Sequence, residues 1–387
     1  MALHVRGIAL PTEEELECWI SGDRLSFTPL PGARTVIDGG FLLPGLADAH
    51  SHPGRGELGA PLDEAKLTRD ARDHARAGVA LIRAAGSPDR PLPGRMREAL
   101  APRAVVVGQA GSEAPRAEAA RAEAAQAADY AGLPRIIDVG VPLGIPGQFP
   151  PDAGRIVPVD ELPEAAVAHY LTAGSGWCKI YADWIVDEET FAEPPLTPAD
   201  ALAEAVRQVH AAGGRVAIHA WHEDACLAAV RAGADSLEHG LRLDPALLPQ
   251  MAAQGTAFTP TLTTWARQVD GLREAPEPIR SWFIDAIERL PSLAAQAQAA
   301  GVTVLAGTDS EPHGRVAEEI RELARGMPAQ AALASGSWAC RAFFGLPGGL
   351  EDGGPADIVA YPSDPRDDLG VLDHPLQVIV RGQLLGS

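Results

Sequence analysis

The sequence contains no hydrophobic run that approaches the roughly 20 residues of a membrane-spanning helix. Residues 1–19 also lack the basic start and apolar centre of a secretory signal. Basic residues number 32 against 52 acidic ones, and the net charge of -20 disfavours binding to nucleic acid or anionic lipid. We therefore expect a cytoplasmic protein that acts on a small molecule, with no nucleic acid and no membrane as partner.

Cysteine is also scarce, with four residues that stand far apart and form no CxxC motif. This spacing argues against a disulfide framework and a zinc knuckle, and it favours buried, reduced thiols. The cysteines are Cys18, Cys178, Cys226 and Cys340.

Lysine is rarer still, because only Lys66 and Lys179 are lysines among the 32 basic residues. Lys179 lies in the apolar stretch Trp177–Ile180, where a charged ammonium is costly unless it is paired, neutralised or modified. It could pair with Asp183 or Asp309. Alternatively, a neutral Lys179 could react with CO2 to form a carbamate, a ligand that can bridge two metal ions and that arginine cannot provide.

The middle of the chain alternates short apolar runs with helical patterns such as Thr197–Ala212 and Trp282–Ala300. Buried strands that alternate with helices indicate parallel βα units, and eight of them over roughly 300 residues fit a (β/α)8 barrel. The predicted strands are Leu46–Ala49, Val79–Ala84, Ala104–Gly108, Cys178–Ala182, Arg215–His219, Ser236–His239, Thr256–Thr261 and Val302–Gly307. Ile136–Val139 is an alternative third strand. The two ends of the chain are strand-like and could pair into one small β domain.

Histidine and aspartate residues follow several of these runs at the point where each strand ends. His50 and His52 are two residues apart, so their side chains point to the same side of a strand. His219, His239 and Asp309 end three later runs. Active sites of parallel barrels lie at this end of the strands, and a set of four histidines and one aspartate suits zinc or a similar divalent ion.

Ordered motifs along the chain carry a resemblance to a known family. Phe41–His52, with the sequence FLLPGLADAHSH, resembles the opening PGxxDxHxH motif of the amidohydrolase superfamily. Gly176–Asp183 resembles the fourth-strand segment of its imidazolonepropionase-like and Xaa-Pro dipeptidase-like branch. Segments that resemble strands five, six and eight and the strand returning to the β domain are Ala217–Ala220, Ala232–Gly240, Ala306–Ser310 and Gly354–Val359. The resemblance implies an α/β fold, with a (β/α)8 TIM-like barrel of residues 46–349 beside a small β-sandwich of residues 1–45 and 350–387.

The resemblance also implies a binuclear site with two divalent metal ions, and zinc is the expected metal. The implied ligands of the more buried ion are His50, His52 and Asp309, those of the second ion are His219 and His239, and carboxylated Lys179 bridges the two.

The reaction that the resemblance implies is hydrolysis of a C–N bond in an amide, lactam or dipeptide-like small molecule. A hydroxide between the metal ions would attack the carbonyl, and Asp309 would act as general base and then as general acid. The alternative is a mononuclear enzyme with unmodified Lys179 that acts as a deaminase, lactonase or esterase. His222 stands three residues after His219, where deaminases of the superfamily usually carry glutamate, and this speaks against a deaminase.

Candidate substrate contacts near the strand ends are Tyr181, Trp221, His222 and Arg83. Arg83 could bind a substrate carboxylate or form a structural ion pair. Four tryptophans on or just beyond the strands favour an aromatic pocket wall over separate core positions; they are Trp177, Trp184, Trp221 and Trp265. Members of the family often self-associate, so the resemblance is also compatible with a homo-oligomer.

Overall fold

The computed structural model describes residues 2–56, 60–87, 89–94, 96, 101, 130–149, 153–184 and 195–386. Its strands are β1 (Leu3–Ala9), β2 (Glu14–Ser21), β3 (Arg24–Ser26), β4 (Arg34–Pro44), β5 (Leu46–Ser51), β6 (Val79–Ala84), β7 (Arg135–Asp138), β8 (Leu143–Gly144), β9 (Arg155–Ile156), β10 (Trp177–Tyr181), β11 (Arg215–Ala220), β12 (Ser236–His239), β13 (Ala257–Thr259), β14 (Ile358–Tyr361), β15 (Gln377–Val380) and β16 (Gln383–Leu385). Its α-helices are α1 (Glu64–Arg76), α2 (Leu162–Ala173), α3 (Ala199–Ala211), α4 (Glu223–Ala232), α5 (Leu248–Gln254), α6 (Leu262–Arg273), α7 (Ile279–Ala299), α8 (Val316–Leu323), α9 (Ala329–Ser335) and α10 (Trp338–Phe343).

Strands from both ends of the chain form one seven-stranded sheet in the order β16-β15-β14-β4-β1-β2-β3. β4 is its central link, because it pairs in parallel with β1 and antiparallel with β14. The apolar side chains of this sheet pack into a small core that includes Val5, Cys18, Leu42, Ile358 and Ile379. The sheet agrees in part with the predicted β-sandwich, since both ends of the chain contribute, but the described strands form one sheet.

The remaining strands form two parallel sheets, one in the order β13-β12-β11-β10-β8-β9 and one in the order β5-β6-β7. Every pair of neighbours in them is parallel. All residues of β5, β6, β10 and β12 are buried, as parallel strands covered on both faces require. The predicted α/β fold is thus confirmed.

Residues 303–309 connect the two parallel sheets through backbone hydrogen bonds. Leu305 N donates to Phe258 O of β13 at 2.8 Å, and Ala49 N of β5 donates to Ala306 O at 2.8 Å. The segment predicted as the eighth strand therefore lies between β13 and β5, as a barrel requires, although it forms only a single bridge, from Val304 to Phe258. Between β7 and β10 the described residues show no such closure.

The third strand is the one place where the sequence left two candidates. The run Ala104–Gly108 lies outside the described residues. The alternative, Ile136–Val139, corresponds to β7, which pairs in parallel with β6. The structure therefore supports Ile136–Val139 as the third strand, next to β6.

The helices begin and end at residues that suit those positions. Asp63 caps α1, since its carboxylate accepts hydrogen bonds from Ala65 N and Lys66 N. α4 ends at Ala232 and is capped by Gly233, whose φ of 81° favours glycine and lets the chain turn towards β12. Within the described ranges, no helix combines the length and the apolar character that crossing a membrane demands.

A buried ionic cluster joins the terminal sheet to the rest of the molecule. Asp357 is fully buried, and its carboxylate accepts hydrogen bonds from Arg135 Nη1 at 2.5 Å and Arg341 Nη2 at 3.4 Å. Its backbone oxygen accepts from Gly45 N at 3.0 Å. Burial alone would raise the pKa of Asp357, but the two guanidinium groups hold it below its ordinary value. The carboxylate is therefore ionised and compensates two buried cations.

We expect Asp357→Ala to lower the free energy of unfolding by about 3–5 kcal/mol, because it leaves two buried guanidinium groups without their anion. Urea denaturation measures the change. Because the folded pKa of Asp357 lies below the unfolded one, its contribution is present above about pH 4 and is lost as the pH falls further. Asp367→Ala, at an exposed aspartate, is the control and should change stability by about 0.5 kcal/mol or less. Equal stability of the two variants would contradict the role of the cluster.

Candidate active site

The six residues expected to hold metal meet at the C-terminal ends of the parallel strands; they are His50, His52, Lys179, His219, His239 and Asp309. Ring centres of His219 and His239 lie 4.5 Å apart, those of His50 and His239 4.9 Å, and those of His50 and His52 5.4 Å. The charge of Lys179 acts on three of these imidazoles. The structure thus brings all six side chains into one cluster.

His50, His52 and Asp309 form the tightest part of the cluster, with one donor atom of each within 4.8 Å of the others. His50 Nδ1 donates to Glu238 Oε2 at 2.6 Å, and His52 Nδ1 donates to Gly86 O at 2.9 Å. With Nδ1 engaged, Nε2 of both rings faces Asp309. The Oδ1 of Asp309 lies 3.7 Å from His50 Nε2 and 3.2 Å from His52 Nε2. Orienting bonds of this kind fix the tautomer of metal-binding histidines.

His219 and His239 form the second part of the cluster. Both rings are buried, and burial, as the largest effect, lowers the pKa of both well below the ordinary value. His219 Nε2 is buried with no hydrogen-bond partner among the described residues. His239 Nδ1 is hydrogen-bonded to Thr261 Oγ1 at 2.9 Å, so its Nε2 is left for another ligand. Neutral imidazoles with an unshared nitrogen have the state that metal binding needs.

Two residues of the cluster have a left-handed backbone, His239 with φ of 68° and Asp309 with φ of 42°. Residues other than glycine rarely adopt this conformation, which costs about 1–3 kcal/mol each and needs support from its surroundings. Asp309 N donates to His50 O at 2.8 Å. The carboxylate of Asp48 accepts from Thr308 N at 3.0 Å and from Thr308 Oγ1 at 2.7 Å. These bonds hold the strained turn that directs the Asp309 carboxylate to the histidines.

Lys179 is 2% exposed, and its Nζ has no hydrogen-bond partner among the described residues. Neither Asp183 nor Asp309 forms an ion pair with it. Asp183 instead accepts hydrogen bonds from the backbone nitrogens of Trp221 and His222. Burial lowers the pKa of Lys179 to about 8, against the opposing charges of two carboxylates. A neutral amine is accessible near physiological pH, which is the form that reacts with CO2.

Glu238 is a site residue that the sequence patterns did not reveal. It is fully buried, and its Oε2 accepts from Arg83 Nη2 at 2.5 Å and from His50 Nδ1 at 2.6 Å, while Ser236 Oγ donates to Oε1 at 2.5 Å. Burial opposes ionisation, but the neighbouring cations hold the pKa of Glu238 well below its ordinary value. A glutamate inside the apolar run Ser236–His239 was the only signal in the sequence.

Arg83 does not contact the substrate space in the way that its position at a strand end suggested. The residue is 1% exposed, and besides its bond to Glu238 its Nε donates to Ala49 O at 2.6 Å. Its guanidinium carbon lies 5.3 Å from the ring centre of Trp177 and 5.5 Å from that of Phe344. The side chain therefore points into the interior, and the structural ion pair is the alternative that the structure supports.

Three of the four candidate wall tryptophans lie around the histidines. Trp184 lies 5.0 Å from His219 and stacks on Trp221 at 5.2 Å, and Trp221 meets Trp265 edge to face at 5.5 Å. Trp177 does not join them, because it packs on the phenylalanines of residues 343–344 and on two arginines. Three of the four tryptophans therefore lie together beside His219, and Trp177 is not among them.

Tyr181 and His222 lie at the rim of the same cluster. The ring of Tyr181 is 4.9 Å from that of His219, and burial raises the pKa of its hydroxyl to about 12. His222 Nδ1 is 2.8 Å from Asp183 Oδ2, which leaves Nε2 for a ligand. The His222 ring packs on Trp282, at 4.8 Å. Both side chains can therefore offer a hydrogen bond to a bound molecule.

Comparisons with known proteins assign the chain to one family. The model of the amidohydrolase family matches residues 41–385. Uncharacterized proteins of Mycobacterium tuberculosis and Mycobacterium bovis are each 37% identical to this chain over 395 residues, an alignment that covers 99% of this chain and 96% of each relative.

Solved structures share the fold over nearly the whole chain. A Xaa-Pro dipeptidase with bound methionine has a TM-score of 0.76 at 21% identity and covers 100% of this chain and 99% of its own. The ochratoxinase of A. niger has a TM-score of 0.74 at 19% identity, with 99% and 95% covered. Phenylurea hydrolase B has a TM-score of 0.65 at 18% identity, with 100% and 97% covered. At these identities the similarity establishes the fold.

We expect Glu238→Gln to lower the free energy of unfolding by about 3–5 kcal/mol, because it leaves the buried Arg83 without an anion. Chemical denaturation measures the loss. The double variant Arg83→Met, Glu238→Gln should recover part of it, since the uncompensated charge is then absent. The exposed Glu274 supplies the control, Glu274→Gln, which should leave stability unchanged. A loss in Glu238→Gln no larger than in the control would contradict this assignment.

Proposed function

This chain belongs to the amidohydrolase family and is a hydrolase of C–N bonds; from that premise we propose that it is metal-dependent and cleaves an amide, lactam or dipeptide-like bond in a small molecule. The observation that carries the proposal is the cluster of four histidines and one aspartate around the unpartnered Nζ of Lys179. Buried, neutral imidazoles, one carboxylate and an amine with lowered pKa are groups that together suit divalent metal binding.

The residues that would hold metal divide into two sets. His50, His52 and Asp309 would hold one ion, and His219 with His239 would hold the second, with carboxylated Lys179 as a ligand of both. Zinc, or a similar divalent ion, supplies an activated water and polarises the carbonyl when bound. This assignment uses the unshared nitrogen of His219 and the partnerless Lys179, which otherwise have no role among the described residues.

Asp309 is proposed as the group that moves the proton. Its side chain is 24% exposed, so the carboxylate is open to the substrate side of the cluster. It would accept a proton from the attacking water as general base and deliver it to the leaving nitrogen as general acid. The short backbone bond to His50 and the left-handed φ hold it in reach of both events.

The substrate would lie between the cluster and the aromatic wall. Trp221 and its neighbours offer apolar area beside His219, which supports an aromatic or hydrophobic acyl part. Tyr181 and His222 would donate hydrogen bonds to its polar atoms. The mononuclear alternative differs in leaving Lys179 unmodified.

We also propose that the two parallel sheets belong to one (β/α)8 barrel of residues 46–349, beside the β domain of residues 1–45 and 350–387. The bridging bonds of residues 303–309 support this arrangement. A cytoplasmic location, a small-molecule substrate as the partner and a homo-oligomer stay predictions of the sequence.

Metal content tests the binuclear proposal. Protein expressed with zinc or manganese and bicarbonate should carry about two metal ions per chain by elemental analysis. Lys179→Arg should reduce this to one or none, because arginine cannot form a carbamate. Lys66→Arg is the matched control, since it changes the other lysine of the chain, and it should leave the content unchanged. One metal ion in both variants and in the parent would favour the mononuclear alternative.

A substrate panel tests the aromatic wall. N-acyl amino acids and lactams with aromatic acyl parts should be hydrolysed with higher kcat/KM than those with small polar parts. Trp221→Ala should reduce kcat/KM for aromatic members by roughly tenfold, since a stacked ring contact is worth up to about 1.5 kcal/mol. Trp19→Ala removes a tryptophan of the terminal sheet and serves as the control. A uniform preference for small polar substrates would contradict the proposal.

A further inference from the structure

The first turn of α6 lies beside the active-site cluster and is capped in an unusual way. Thr261 precedes the helix, at the position where a threonine side chain normally accepts a hydrogen bond from the first turn. Here Thr261 has φ of 53°, in the left-handed region, and its hydroxyl makes no capping hydrogen bond. A β-branched residue is an outlier in this conformation, so the surroundings must hold it there.

Glu319 of α8 performs the capping in place of Thr261. Its Oε1 accepts from Leu262 N at 2.9 Å, and its Oε2 accepts from Thr263 N at 2.7 Å and from Thr263 Oγ1 at 2.7 Å. The two backbone N–H groups belong to the first turn of α6 and have no acceptor inside the helix. Glu319 is fully buried, so its carboxyl group ties the start of α6 to α8 inside the molecule.

The cap does not need a charged carboxylate. Burial raises the pKa of Glu319 to about 8, while the hydrogen bonds from Thr263 and Leu262 oppose the rise and the charge of Asp48 adds to it. The acid and the carboxylate both have oxygen atoms that accept hydrogen bonds. The cap of α6 therefore does not depend on which of the two forms is present.

The hydroxyl of Thr261 is bonded to His239 instead of the helix. Thr261 Oγ1 lies 2.9 Å from His239 Nδ1, and Asp309 Oδ2 lies 3.9 Å from the same nitrogen. These two oxygen atoms favour a hydrogen atom on Nδ1, because the hydroxyl can accept it and the carboxylate attracts it. The neutral ring then carries no hydrogen on Nε2, which leaves that nitrogen able to bind a metal ion.

We propose that Glu319 is a positioning residue for His239. By capping α6, Glu319 leaves the Thr261 hydroxyl to accept from His239 Nδ1, and this bond fixes the ring in the tautomer with a free Nε2. The same cap holds Trp265, which lies in the first half of α6 with its ring centre 6.3 Å from that of His239. This inference rests on the proposed function, since His239 is a proposed ligand of the second metal ion.

The test is the position of the proton on the His239 ring in metal-free protein. Long-range proton–nitrogen NMR spectra of histidine-labelled protein, at slightly alkaline pH, give the tautomer, and His239→Gln assigns the signals. The parent should show the Nδ1–H tautomer, Thr261→Val should give a mixture of both tautomers, and Thr261→Ser should restore the parent signals. Thr256→Val removes another buried hydroxyl, which donates to Ala234 O, and is the matched control.

Variants of Glu319 test the cap itself. Glu319→Ala should change the His239 signals as Thr261→Val does, whereas Glu319→Gln should keep part of the parent pattern, since its amide oxygen still accepts a hydrogen bond. Thr261→Val and Glu319→Ala should weaken binding of the second zinc ion by roughly 10–100-fold in competition with a chelator, as loss of a partner behind a metal-binding histidine implies. Glu322→Gln, also on α8, is the matched control and should change neither reading.

The two readings separate this inference from the hydrolase proposal. An Nδ1–H tautomer that is lost in Thr261→Val and Glu319→Ala, in a protein that binds no zinc, would support the role of Glu319 and contradict the proposed function. Equal zinc affinity of the parent and both variants would support metal dependence and overturn the role of Glu319. An Nε2–H tautomer in the metal-free parent, or an unchanged His239 ring in Thr261→Val, would overturn it as well. Glu319→Gln decides the role of the cap if Glu319→Ala does not fold.

Discussion

The buried carboxylate of Glu238 is the interaction on which the active-site geometry depends. It accepts hydrogen bonds from Arg83 of β6 and His50 of β5, while Glu238 itself lies in β12. It therefore ties the three-stranded parallel sheet to the six-stranded one inside the molecule. It also fixes which nitrogen of His50 carries the proton, and so which nitrogen faces Asp309. A carboxylate in this place is stable only because a guanidinium and an imidazole share its charge.

Much of the fold and most of the cluster could be predicted because the end of a strand can be recognised from a few neighbouring residues. A run of apolar residues followed by histidine or aspartate predicts both the strand and the end of the strand at which the polar side chain lies. Parallel strands then bring those ends together without further information, which is why residues as distant as His50 and Asp309 were expected to meet. The carboxylation of Lys179 stays a prediction, although the absence of an ion pair with Asp183 removes one alternative.

The errors came from depth along the strand and from partners far away in sequence. Trp177, Lys179 and Tyr181 are spaced two apart, so their side chains point to the same side of β10. They lie at successive positions along the strand, and Trp177 is at the opposite end of β10 from Tyr181. Arg83 is long enough to reach Glu238, which is 155 residues away, and this distance hides the pair from any local pattern. Short strands such as β8, and the single bridge at Val304, carry too few residues to give a pattern of their own.

The pairing of β4 with β14 has a consequence for how the molecule is made. Pro44 stands opposite Ile358 in the register, so the partner of an early strand is synthesised only after the whole α/β region. Until then, an edge of β4 that carries Leu42 and Leu43 lacks its neighbour while the nascent chain is on the ribosome. Closing a loop of this length is slow compared with local folding. Completion of the terminal sheet must therefore follow synthesis of the α/β region, and the unpaired edge of β4 is what a chaperone would have most to protect until then.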